Sequence, residues 1–261
     1  MATTEDRVLA KPADLCCLKG SIHTGEQKGV IESINGVDTY VSKPNPDTAN
    51  NNVILFFPDA FGLHINSFLM MDSFAACGYL VLGVDYFLGD AVTKHSKTPL
   101  SDPNFDFQAW RNKHLPSSEE VAVRWVKDVH AKYGKDPDTK FACVGYCWGA
   151  RFVCSQLSKT GICKVGAVAH PSFMMESHVS GIEAPIFFSV PNTDALFVPE
   201  SRSRTIEILT EANRDFNMQI FSKVGHGFAT RAFLSDPYER WAKEQSFKSF
   251  VDWIDHWLSE K

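Results

Sequence analysis

Three segments of the chain carry residue types that together can run nucleophilic chemistry. Gly145-Tyr146-Cys147-Trp148-Gly149 follows the apolar run Phe141 to Val144 and precedes the helix-prone run Ala150 to Leu157. Glycines on both sides of a central nucleophile suit a strained strand-to-helix turn that lifts the central side chain off the sheet. Here that side chain is a thiol. At a helix N-terminus the macrodipole and the unpaired N–H groups favour its thiolate form. A sulfur nucleophile needs a base, and the base needs an acid to fix its tautomer. Asp194 lies in Pro191-Asn192-Thr193-Asp194, after the run Pro185 to Val190, and His226 lies in Gly225-His226-Gly227, after a run ending near Ser222. Nucleophile, acid, histidine is one of the chain orders on which such triads are built.

A carbonyl attacked by sulfur becomes an oxyanion that requires preorganised N–H donors. The backbone N–H of Trp148, next to the nucleophile, is one candidate, and that of Ala60 in Phe57-Pro58-Asp59-Ala60-Phe61-Gly62 is the other. Asp59 in the same loop is placed to accept a hydrogen bond from the thiol and hold it neutral until substrate arrives, or else to cap the next helix. His170-Pro171-Ser172 also follows an apolar run, but no acid separates it from the elbow in the required order, so His170 is expected in a pocket wall. Arg231 is a candidate partner for a substrate carboxylate, with a surface ion pair as the alternative. Cys16-Cys17 and Cys143-x3-Cys147 are not C-x-x-C pairs, and H-E-x-x-H, phosphate-loop and dinucleotide signatures are lacking. Neither a metal nor a cofactor is expected.

These residues need a scaffold, and the hydrophobic pattern supplies one. Val30 to Ile34 and Val37 to Ser42 flank Asn35-Gly36, which predicts a tight antiparallel hairpin. Beyond it, buried-strand patterns at Val53 to Phe57, Tyr79 to Val84, Phe141 to Val144, Val165 to Ala169, Pro185 to Val190 and Met218 to Ser222 alternate with helical ones. One helix is expected after Pro116, with Ser117 and Glu120 spaced as a capping box, and another carries the stripe Phe247, Phe250, Val251, Ile254, Trp257 and Leu258. The pattern predicts an α/β fold, a mostly parallel sheet with helices on both faces, over a single domain spanning 1–261. Chemistry then belongs at the carboxyl ends of the strands. Residues 1–28 read as an irregular lead-in and 87–115 as a lid or insertion.

The composition narrows the partners. Of 261 residues, 26 are basic and 31 acidic, a net charge of −5 with no basic run, which argues against nucleic acid. No apolar stretch approaches the ~18 residues of a membrane span. Seven cysteines cannot all pair internally and read as thiols. No targeting segment is recognised at either end, so cytoplasm is the expected location, and a homo-oligomer is left open.

Pro58-Asp59-Ala60-Phe61-Gly62, Gly145-Tyr146-Cys147-Trp148-Gly149, Asp194 and Gly225-His226-Gly227-Phe228 together resemble the dienelactone hydrolase family, with Cys16-Cys17 similar to fungal members. The resemblance implies an α/β-hydrolase fold and a Cys147, His226, Asp194 triad with no cofactor. It also implies an acidic residue that restrains the thiol. Dienelactone-cleaving members carry Glu where this chain has Asp59, one methylene shorter. They also use two arginines, of which Phe87-Leu88-Gly89-Asp90 offers none and Arg231 stands one residue displaced. The expected activity is hydrolysis of small activated esters or lactones through an acyl-thioester. The alternatives are a biosynthetic thioesterase, or a ligand-binding or redox-sensing protein in which Cys147 pairs with Cys143 or Cys154.

Overall fold

In the computed structural model, which describes residues 6–95 and 104–259, the lead-in from residue 6 onward carries some regular structure. It forms a short strand, β1 (Val8–Ala10), and a single 3-10 turn at Leu15–Leu18 capped by the Asp14 carboxylate. Of the segments singled out above, residues 1–5, 96–103 and 260–261 lie outside the described residues. The hairpin of β2 (Val30–Ile34) and β3 (Val37–Ser42) forms as expected, with φ of 48° at Asn35 and 80° at Gly36. These positive angles match the right-handed strand twist.

The alternating part follows as β4 (Val53–Phe57), α1 (Ile65–Ala76), β5 (Leu80–Val84), α2 (Phe107–Tyr133), β6 (Phe141–Tyr146), α3 (Ala150–Gln156) and β7 (Cys163–Ala169). After β8 (Met174–Met175) and α4 (Glu176–Ser180) come β9 (Ile186–Pro191), α5 (Pro199–Glu211), β10 (Phe216–Phe221), α6 (Phe228–Arg231) and α7 (Pro237–Ser259). Eight strands form one sheet in the order β10-β9-β7-β6-β4-β5-β3-β2, parallel from β10 to β5 and antiparallel at the hairpin edge. A second, two-stranded antiparallel sheet joins β1 to β8.

Continuous apolar strands arise because both faces are covered. Along β4, Leu55 and Phe57 point into a core with Trp125 of α2, Val153 of α3 and Leu209 of α5. Ile54 and Phe56 point to the other face, with Met71 and Phe74 of α1 and Phe250 and Ile254 of α7. Among the described residues no helix is long and apolar enough to cross a membrane.

One helix departs from expectation. α2 starts at Phe107, capped by Asp106, whose carboxylate accepts from Ala109 N at 2.9 Å, and it runs through Pro116. The missing proline N–H is tolerated because tertiary packing outweighs it: Trp110, His114, Ser118 and Val121, on both sides of Pro116, are all buried. Ser117 therefore caps nothing, and its hydroxyl donates back to Lys113 O. Residues 107–115 of the stretch read as a lid are thus the first turns of α2.

Candidate active site

Sheet order gathers the site. Phe57 of β4 pairs with Gly145 of β6, and Tyr146 of β6 pairs with Ala169 of β7, so the loops after β4 and β7 flank the elbow. The loops after β9 and β10, carrying Asp194 and His226, continue along the same rim. Cys147 holds φ of 50°, a left-handed angle costly to a side chain other than glycine. Its flanking glycines have steric reasons. A Cβ on Gly149 would sit 2.2 Å from Phe57 O, and one on Gly145 would sit 2.6 Å from Val153 Cγ2.

His226 Nδ1 lies 2.9 Å from Asp194 Oδ2, and Leu196 N donates to Asp194 Oδ1 at 2.9 Å. His226 Nε2 is buried without a hydrogen-bond partner among the described residues. Burial alone pushes the Asp194 carboxyl up, but His226 and the Leu196 N–H hold it below the usual carboxylate range. Burial likewise disfavours charge on His226, yet the Cys17 sulfur and the Asp194 carboxylate raise its pKa well above the ordinary imidazole value. Cys147 is fully buried, and its sulfur lies 3.5 Å from Ser172 Oγ and 3.6 Å from Cys17 Sγ. Ala60 and Trp148 are buried in the same core cluster, and the Trp148 indole donates to Ser118 Oγ at 3.0 Å.

A cleft of about 320 Å³ reaches this rim, lined by Cys16, Lys19, Thr193, Asp194, His226 and Arg231 among others. Above Cys147 lies the N-terminal strap. Its backbone is held by Ser21 N on Arg231 O at 2.8 Å and by the Asn66 side chain, which bonds His23 N and Ser21 O. A thiol, an imidazole oriented by a carboxylate, and backbone donors on one rim are the parts that acyl transfer from an ester requires.

Residues 37–258 match the dienelactone hydrolase family. The chain belongs to that family. It is a carboxylic ester hydrolase of the α/β-hydrolase fold. It is 66% identical to dienlactone hydrolase 1 of Gibberella moniliformis, over 100% of both chains. It is equally 66% identical to dienlactone hydrolase 2 of that organism, over 98% of this chain and 100% of the relative. A dienelactone hydrolase-like promiscuous phosphotriesterase from metagenomic libraries shares the fold, with a TM-score of 0.61 at 14% identity over 89% of this chain and 98% of that one.

Within this family member, three expected residues take other positions. The Asp59 carboxylate is occupied by Arg231, by Thr230 Oγ1 at 2.8 Å and by Phe61 N at 2.9 Å, so the thiol meets Cys17 and Ser172 instead. Arg231 lines the cleft, but its guanidinium is already engaged by protein acceptors. It is 1% exposed and donates to Asp59, to Cys17 O at 2.9 Å and to Lys19 O at 3.0 Å. A buried guanidinium needs a counter-ion and acceptors, and Asp59 and the strap supply both. Burial lowers its pKa to about 10, so it stays charged near neutral pH. His170 is not in the cleft wall. Its ring lies 5.0 Å behind that of His226, fully buried, and burial keeps it neutral. Sequence reasoning missed Cys17, whose only sequence signal is the unusual Cys16-Cys17 pair, and the thiol contact of Ser172, which the neighbourhood of β6 and β7 implies.

Proposed function

We propose that the chain hydrolyses a small activated ester or lactone with Cys147 as nucleophile, His226 as general base and Asp194 as the residue that orients His226. The observation that carries this reading is the convergence of Cys147 Sγ and a His226 ring nitrogen within 4.8 Å, while Nδ1 is held by Asp194 at 2.9 Å. His226, in its neutral form, takes the thiol proton as sulfur adds to the carbonyl. The Ala60 and Trp148 N–H groups receive the oxyanion. His226 then gives the proton to the departing alkoxide or enolate, leaving an acyl-thioester that water, deprotonated by the same histidine, hydrolyses. Thiolate leaves more readily than an amine, so the tetrahedral adduct of a peptide reverts, whereas those of activated esters and enol lactones go forward.

The cleft, of about 320 Å³, supports a compact substrate over a long acyl chain. Because Cys147 is fully buried beneath Cys17, substrate entry requires the Cys17 side chain to move off the sulfur. Wild type, Cys147→Ala and His226→Ala are assayed on a panel of activated esters, enol lactones and thioesters. Turnover is expected on esters and lactones and lost in both variants. Multiple turnovers by either variant at the wild-type rate would overturn the mechanism.

A further inference from the structure

Three ligand-type side chains meet from distant parts of the chain: Cys17 from the strap, Cys147 from the elbow and His226 from the loop after β10. All are buried, and one ligand atom of each lies within 4.8 Å of the other two. We propose that they form a binding site for a thiophilic divalent cation of the zinc class, and that occupancy switches hydrolysis off.

The spacing fits such an ion. Two thiolates each about 2.3 Å from a tetrahedral zinc stand about 3.8 Å apart, and a ligating imidazole nitrogen stands about 3.5 Å from each. Cys17 Sγ and Cys147 Sγ are 3.6 Å apart. A His226 ring nitrogen lies within 4.8 Å of both sulfurs, and a small side-chain rotation brings it to ligating distance. His226 Nε2 is the buried ring atom without a partner, while Nδ1 is held by Asp194. That carboxylate–histidine pairing fixes the tautomer and raises the basicity of an imidazole bound to metal. Cys17 is preorganised too: its N–H donates to Asp14 O at 2.8 Å and its carbonyl accepts from Arg231 Nη2 at 2.9 Å.

The donor set selects the ion. Two thiolates and an imidazole suit zinc and its thiophilic neighbours, whereas magnesium and calcium take oxygen ligands. Binding displaces one proton from each thiol and a further one from the protonated His226 ring, and no electrons move. With zinc in place the Cys147 sulfur and His226 Nε2 are both committed to the ion, and neither can attack or accept a proton. The switch rests on the triad reading above; the binding does not.

The test uses the full chain, reduced with a phosphine, stripped of metal, loaded with Zn²⁺ and dialysed, with zinc per chain measured by mass spectrometry. Cys17→Ser and Cys147→Ser are treated alike, and far-UV circular dichroism checks that they fold. Wild type is expected to keep close to one ion per chain and each variant to keep almost none. Co²⁺-loaded wild type should show thiolate charge-transfer absorption that Cys17→Ser loses. Failure of wild type to retain zinc, or equal retention in the variants, overturns the site. Zinc should inhibit wild-type hydrolysis reversibly on addition of a chelator, and Cys17→Ser should be at least ~10-fold less sensitive relative to its own uninhibited rate. Full hydrolysis by zinc-loaded wild type overturns the switch, whereas undiminished hydrolysis by zinc-free Cys147→Ser overturns the triad and leaves the binding result standing.

Discussion

Arg231 and Asp59 form an ion pair in which each side chain is 1% exposed. It ties the loop after β4, which carries Ala60, to the helical turn that follows His226. The same guanidinium holds the carbonyls of Cys17 and Lys19, so one arginine sets the register of three segments that meet over Cys147.

Asp59→Asn keeps the shape of the side chain and removes the counter-charge. The Arg231 guanidinium is then buried without compensation, which costs about 3–5 kcal/mol. Urea unfolding is expected to show a loss of that size, with the slope of the transition unchanged. A loss under about 1 kcal/mol would mean that the carbonyls of the strap suffice to hold the charge.

Gly149 of the elbow and Gly225 beside His226 make a contrasting pair. On Gly149 a Cβ meets the Phe57 carbonyl at 2.2 Å, and backbone cannot move aside cheaply, whereas on Gly225 a Cβ meets nothing within 4 Å. Gly149→Ala is therefore expected to destabilise by about 3 kcal/mol and to lower kcat by displacing Cys147. Gly225→Ala, beside His226, is expected to change stability by less than about 1 kcal/mol. Thermal unfolding and ester turnover of both variants check the contrast.

The Asp194 and His226 pair has a defined pH window. The Asp194 carboxyl is held below its unfolded value of about 3.9, so its contribution is present above that pH and is lost as pH falls through the lower folded value. His226 is raised above its unfolded value of about 6.5, so its contribution is complete below that pH and is lost as pH rises through the higher folded value. The pair stabilises most between about pH 4 and 6.5. The difference in unfolding free energy between wild type and His226→Gln is expected to be larger at about pH 5 than at about pH 9. A difference that stays constant would show that His226 titrates alike in the folded and unfolded chain.

What the sequence makes legible is what is local. The Asn35-Gly36 turn, the apolar strands and the glycines around Cys147 each declare themselves within a few residues, and chain order then brings Asp194 and His226 to the rim. Contacts over long separations do not show. Cys17 meets Cys147 across 130 residues, and metal motifs, which rely on closely spaced ligands, cannot register a cluster drawn from three distant loops. Arg231 read as a partner for a substrate carboxylate or as a surface ion pair, because its buried partner Asp59 lies 172 residues away. The start of α2 was obscured because Pro116-Ser117 imitates a helix beginning, while Asp106 supplies the real cap.

Asn66 offers the most direct handle on the strap. It is fully buried at the start of α1, where Oδ1 accepts from His23 N at 2.8 Å and Nδ2 donates to Ser21 O at 2.9 Å and Thr230 O at 3.0 Å. Asn66→Ala leaves one N–H and two carbonyls without the amide, at a cost of about 2–3 kcal/mol localised in the strap. Amide hydrogen exchange is expected to quicken around residues 17–23 and to stay slow in β4 and β6. Because the strap covers Cys147, alkylation of that thiol by iodoacetamide should quicken as well. Faster exchange without faster alkylation would show that loosening this anchor does not uncover Cys147, and that the sulfur is reached by another route.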